Sequence, residues 1–155
     1  MKDFNYCAPT RVIFGKNTEL EVGKALKNAG ATRVLMQYGG GSIKKSGLYD
    51  RVVKAIRDEG IELFELGGVQ PNPHLSLVRK AIEIVREQKI DYLLAVGGGS
   101  AIDAAKGMWL FYEHPETTFD GLKLRFMDIR KRESIRMTFF CIKADRDSLH
   151  STDIV

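Results

Sequence analysis

Three glycines and a serine, Gly97-Gly98-Gly99-Ser100, separate an apolar run, Tyr92 to Val96, from a segment with apolar positions at Ile102, Ala105, Trp109 and Leu110. The run reads as a buried strand and the segment as a helix, which Ser100 is placed to cap. A strand that turns through glycines into a helix start leaves backbone N–H groups at the positive end of the helix dipole. Without Cβ atoms, an anion can come up against that backbone. The pattern therefore suits a phosphate or pyrophosphate. The alternative is an ordinary tight turn from strand to helix, which rarely needs three glycines.

A second glycine cluster, Tyr38-Gly39-Gly40-Gly41-Ser42, follows the short apolar run Arg33 to Gln37. Dinucleotide folds that take NAD commonly hold the ribose 2′-hydroxyl with a carboxylate at the end of a strand. Here Gly39, Gly40, Gly41 and Ser42 stand in that place, with Lys44 and Lys45 just beyond. A hydroxyl and ammonium groups in place of a carboxylate favour a 2′-phosphate. NADP(H) is therefore expected over NAD(H), with NAD(H) as the alternative, and one of the two lysines can equally be a solvated charge. Asn72, between Pro71 and Pro73, has the position of a helix cap. Asp103 lies one turn into the last helix, where Lys106 can pair with it. His74, His114 and His150 are scattered without metal-ligand spacing.

The elements that must carry these turns alternate. Val12 to Gly15 reads as a strand, and Thr18 to Glu21 has capping-box spacing for a helix through Leu26. A helix from about Leu48 to Asp58 stops at Gly60, and Ile61 to Leu66 is the next strand. Pro73 can sit in the first turn of a long helix with Leu77, Ala81, Ile84 and Val85 on one face. Repeated βα units with short loops predict an α/β domain, a Rossmann-like parallel sheet with helices on both faces. Ligands bind such sheets at the carboxyl ends of the strands, where all three glycine-rich or Asn-Pro turns fall. Residues 1–132 are read as the nucleotide-binding domain. Residues 133–155 are an unassigned tail with one strand candidate, Met137 to Ile142, and a polar end.

A chain of 155 residues with formal net charge +4 has room for one domain. The excess charge lies wholly in residues 1–106, with sixteen basic and twelve acidic residues. That balance suits an anionic cofactor and is too dispersed for nucleic acid. No apolar run has the length of a membrane span, and Cys7 and Cys141 read as reduced thiols, so a cytoplasmic protein is expected.

From Phe4 to Lys106 the chain resembles the N-terminal domain of iron-containing alcohol dehydrogenases, the NADPH-dependent butanol dehydrogenases in particular. The resemblance is carried by Pro9-Thr10-Arg11-Val12-Ile13-Phe14-Gly15, Tyr38 to Lys45, Pro71-Asn72-Pro73 and Gly97 to Lys106. Residues 107–132 are instead similar to the alcohol-dehydrogenase half of bifunctional aldehyde–alcohol dehydrogenases. The resemblance implies a dehydroquinate synthase-like fold. It also implies a nicotinamide cofactor on Gly40, Gly41, Ser42, Gly97, Gly98, Gly99 and Ser100, with Asn72 and Asp103 beside it. The substrates it implies are small primary alcohols and aldehydes. The family's iron or zinc is held by an aspartate and histidines of a second, helical domain, none of which can be matched here. A cofactor-binding part without activity of its own is therefore expected, and self-association as a homodimer is left open. Two other readings stand beside it: a non-catalytic nucleotide-binding module, and a sibling metal enzyme such as glycerol dehydrogenase or dehydroquinate synthase.

Overall fold

The computed structural model describes residues 11–70, 74–113, 139–144 and 152–154. In chain order the elements are β1 (Ile13–Gly15), a 3-10 turn (Thr18–Glu21), α1 (Val22–Asn28), β2 (Arg33–Tyr38), α2 (Ser42–Lys45) and α3 (Leu48–Asp58). They continue with β3 (Glu62–Leu66), α4 (Leu75–Glu87), β4 (Tyr92–Val96), α5 (Gly99–Glu113), β5 (Phe139–Ala144) and β6 (Thr152–Ile154). One six-stranded sheet has the order β1-β6-β5-β4-β2-β3. Strands β5, β4, β2 and β3 run parallel, and β6 is antiparallel to both β5 and β1. The stretch 133–155, set apart in the sequence reading, contributes two strands to the same sheet. The second, β6, lies within the end read as polar.

The side-chain alternation of β2 explains the two layers of helices. Val34, Met36 and Tyr38 pack on one face with Val22 and Leu26 of α1 and Val52 and Ile56 of α3. Leu35 lies on the other face with Val78, Ala81 and Val85 of α4 and Ala101, Ala105 and Met108 of α5. Because both faces are covered, β4 is buried at every residue, which is why its sequence reads as one apolar run. Register is pinned at the opposite end from the glycine turns. The Asp91 carboxylate accepts the Thr32 and Arg33 backbone N–H groups at 2.9 Å each and the Thr32 hydroxyl at 2.6 Å. With the starts of β2 and β4 tied in this way, Tyr38 and Val96 finish level as register partners.

Three helix starts differ from the sequence reading. Thr18 to Glu21 forms a 3-10 turn, with Asn17 in the left-handed conformation before it and the Thr18 hydroxyl donating to the Gly15 carbonyl at 3.1 Å. Helix α4 begins at Leu75, so the cap position falls on His74, whose backbone is extended. Asn72, expected to cap it, lies outside the described residues together with Pro71 and Pro73. Helix α5 begins at Gly99. The Gly98 carbonyl accepts the Ala101 N–H at 3.0 Å and the Ile102 N–H at 3.4 Å. Gly98 is thus the capping position, and Ser100 is the second helical residue. No helix among the described residues is long and apolar enough to cross a membrane.

Gln37 breaks the apolar pattern of β2. Its side chain is fully buried, on the same face as Leu35, and among the described residues neither its amide oxygen nor its amide nitrogen has a hydrogen-bond partner. A buried, unpaired polar group costs about 1–3 kcal/mol. Gln37→Met keeps the unbranched shape and removes the amide, so it is expected to stabilise the chain by about 1–2 kcal/mol. Urea unfolding at unchanged m-value measures this. A midpoint lower than that of the parent would show that the amide is satisfied in solution.

Candidate functional site

Three loops leave the sheet at the carboxyl ends of β2, β3 and β4. From β2 the chain runs through Gly39–Gly41 to α3 and then to β3 on one side. From β4 it runs through Gly97–Gly98 to α5 and then to β5 on the other. Two adjacent parallel strands whose connections leave in opposite directions open a crevice between their ends, the topological switch point of an open α/β sheet. The β3 loop closes on the β2 loop, since Val69 donates its N–H to the Tyr38 carbonyl at 3.2 Å and Gly68 to the Gly39 carbonyl at 3.5 Å.

At the β4 turn the glycines divide by cause. Gly97 is buried and has φ +145°, a backbone that side-chain-bearing residues rarely adopt. Gly98 and Gly99 have no such φ, both are exposed, and a Cβ built on either meets no protein atom within 4 Å. The chain itself does not require glycine at those two positions. They form a bare shelf of backbone in front of a fifteen-residue helix, whose first N–H groups have no intrahelical acceptor. The half-buried Ser100 adds a hydroxyl to this turn. This is the donor set that suits a pyrophosphate.

The β2 turn is similarly bare. A Cβ on Gly40 meets nothing within 4 Å, and one on Gly41 meets only the Lys45 Cε, at 4.0 Å. Gly40, Gly41 and Ser42 are all exposed. Asp103 and Lys106, read as a candidate ion pair, are both exposed on α5 and are not paired.

Sequence reading missed a polar cluster behind the β2 turn. The hydroxyls of Tyr38 and Tyr49 both donate to Oε2 of Glu65, at 3.3 and 2.7 Å. The bond to Glu65, then burial, then the carboxylate's charge push the Tyr49 pKa up to about 12, so this hydroxyl stays a donor across the working pH range. Glu65 is the one before last residue of β3, and its place at a strand's carboxyl end was the available signal. An open groove of about 290 Å³ is lined by Gly68, Gln70, His74, Ser76, Leu77 and Lys80. Among the described residues no three His, Cys, Asp or Glu side chains come together as a metal-binding group. The described residues therefore do not fit the metal that the resemblance implies.

A glycine-lined switch point on a parallel sheet covered on both faces defines a Rossmann-like α/β protein. Residues 9–142 match the iron-containing alcohol dehydrogenase family, and the chain belongs to that family. It is 45% identical over 123 residues to NADH-dependent butanol dehydrogenase A of Clostridium acetobutylicum, covering 79% of this chain and 31% of that protein. It is 42% identical over 118 residues to NADPH-dependent butanol dehydrogenase of Clostridium saccharobutylicum, covering 76% and 29%. The crystal structure of NADH-dependent butanol dehydrogenase A from Thermotoga maritima superposes with a TM-score of 0.73 at 38% identity, over 91% of this chain and 34% of that one. The chain thus spans about a third of the length of these relatives.

Proposed function

We propose that the chain binds a nicotinamide dinucleotide across the crevice between β2 and β4, as the cofactor-binding part of a cytoplasmic oxidoreductase of small primary alcohols and aldehydes. The observation that carries this reading is the pair Gly98 and Gly99. Neither the backbone conformation nor the surrounding packing demands glycine there, yet a pyrophosphate resting on the α5 N-terminus would. In this reading Gly97–Ser100 take the pyrophosphate, with Asp103 at the cofactor's edge, and Gly40, Gly41 and Ser42 take the adenosine ribose. Asn72 remains a candidate on the strength of the family resemblance. A dinucleotide held there would supply the hydride donor or acceptor for the reaction. The chain's own contribution is to bind and orient the dinucleotide at the carboxyl edge of the sheet. Among the described residues no metal-ligand set stands at this edge.

NADP(H) is preferred over NAD(H) in this reading, because the turn after β2 bears no carboxylate and carries Ser42 and two nearby lysines. Glu65, the carboxylate that the fold brings to this end, is already engaged by two tyrosine hydroxyls. The butanol dehydrogenases similar to this chain include both NADH- and NADPH-dependent proteins, so titration of the purified chain with both cofactors is the direct test. NADPH is expected to bind about tenfold more tightly. Gly40→Asp is expected to reverse the order, since its Cβ meets no protein atom within 4 Å and its carboxylate can accept from a ribose diol while repelling a phosphate. Equal affinities for the two cofactors, before and after the substitution, would sink the preference.

A further inference from the structure

A cluster centred on the Glu65 carboxylate draws together points of the chain on both sides of the glycine turn after β2. The hydroxyl of Tyr38, the last residue of β2, and that of Tyr49, the second residue of α3, both donate to Oε2, at 3.3 and 2.7 Å. The two rings meet edge to face, with centroids 5.6 Å apart and planes at 67°. Lys44, between them in sequence, places Nζ 5.6 Å from the centroid of the Tyr38 ring and 5.0 Å from that of Tyr49. A cation over ring faces is attracted electrostatically. Gly67 makes room for the arrangement, since a Cβ there would lie 2.8 Å from Cε2 of Tyr38.

The segment enclosed by the two tyrosines is unevenly held. Ile43 and Leu48 are buried and fix its far part in the core. Gly40, Gly41 and Ser42 are exposed, and a Cβ on Gly40 would find no protein atom within 4 Å. A run of glycines has more conformational freedom to lose than any other sequence, so its shape is set by its flanks. A ligand's apparent affinity falls in proportion to the fraction of chains already in the receiving shape. The flanking side chains are Tyr38 and Lys44, and both belong to the cluster.

We propose that Glu65 is a positioning residue for dinucleotide binding: through Tyr38 and Tyr49 it holds the turn 39–42 in its receiving conformation before the ligand arrives. This rests on the reading that the cofactor lies across Gly40–Ser42. Glu65 touches no cofactor atom in it. Because it restricts the backbone and supplies no charge to the ligand, it serves NADH and NADPH alike.

The test joins fluorescence titration of the 155-residue chain with NADH and NADPH to amide hydrogen exchange, free and saturated with NADPH. The variants Glu65→Gln, Tyr49→Phe and Gly67→Ala disturb the cluster and leave the turn's own residues unchanged. Glu65→Gln and Gly67→Ala are expected to weaken both dinucleotides by about tenfold, with the ratio of the two affinities within about twofold of the parent's, and Tyr49→Phe by about threefold. The reporting amides are Lys45, Ser46 and Gly47, which bond back to the carbonyls of Gly41, Ser42 and Lys44. Their exchange is expected to quicken in the free variants and to return to the parent's rate on saturation, while the amides of β4 stay unchanged. A merely structural role would quicken exchange in β4 as well and would not be reversed by the ligand, and that pattern overturns the proposal. Affinities that hold while the three amides quicken, or that fall while the amides do not change, overturn it too and leave the cofactor reading standing. If Glu65→Gln does not fold, Tyr49→Phe decides, since it removes one hydroxyl and keeps the ring. A parent chain that binds neither dinucleotide overturns the cofactor reading itself, and the proposal with it.

Discussion

Gly98→Val is expected to abolish dinucleotide binding while leaving the thermal unfolding midpoint of the chain within about 2 °C of the parent's, a shift worth less than about 1 kcal/mol at this chain length. The two halves of this outcome have separate causes. Stability is spared because the backbone of Gly98 lies in a region that residues with side chains adopt, and a Cβ there meets no protein atom within 4 Å. Binding is lost because the same Cβ and its two methyl groups stand on the shelf where a pyrophosphate would meet the first N–H groups of α5. Gly97 offers a control of the opposite kind. With φ +145° and only 3.3 Å from its missing Cβ to the Cβ of Ala101, any side chain there strains the turn and lowers the midpoint as well. Retained affinity in Gly98→Val at an unchanged midpoint would reduce the turn to a structural connection.

Elements whose pattern is set by burial on a regular period were legible in the sequence. The ranges 48–58 and 92–96 match α3 and β4 residue for residue. The first follows a helical stripe of Val52, Val53 and Ile56, and the second is a strand covered on both sides. What sequence could not supply was set by tertiary contact. β6 is three residues of mixed polarity, and it exists because it can pair with β5 and β1 at once. Gly23 looks like an indifferent residue in a short helix. The Ala55 carbonyl oxygen lies only 2.0 Å from the place its Cβ would take, so the packing of α1 on α3 demands glycine. The start of α5 was misread because serine is the better capping residue by type, while the backbone turn completed at Gly97 fixes the cap one residue later, at Gly98.

Candidate site residues follow the same division. The glycines, Ser42 and Ser100 were legible because they are adjacent in sequence and their chemistry is that of the backbone. The arrangement of Tyr38, Tyr49, Glu65 and Lys44 was not, since its members come from two strands and two helices. Their sequence neighbours give a tyrosine in an apolar strand no visible reason to be polar. Lys44 and Lys45 are equivalent on paper and inequivalent in the fold, where Lys44 alone lies over the rings of Tyr38 and Tyr49.

The 155-residue chain, saturated with cofactor and supplied with iron or zinc, is expected to reduce no butanal and oxidise no butanol above the blank. Turnover in a hydride exchange of this kind needs a group that stabilises negative charge on the substrate oxygen, and Lewis-acid assistance there is worth several kcal/mol. A loss of about 4 kcal/mol alone lowers a rate roughly a thousandfold. The described residues bring no metal-binding group of three together, and the chain spans about a third of its butanol dehydrogenase relatives. Cofactor binding and catalysis are therefore expected to separate: a titratable fluorescence change on adding NADPH, with no metal-dependent consumption of it. The assay requires a host lacking its own butanol dehydrogenases and a Gly98→Val chain as blank. Metal-dependent turnover that the parent shows and the Gly98→Val chain lacks would prove the expectation wrong and place the missing ligands within this chain.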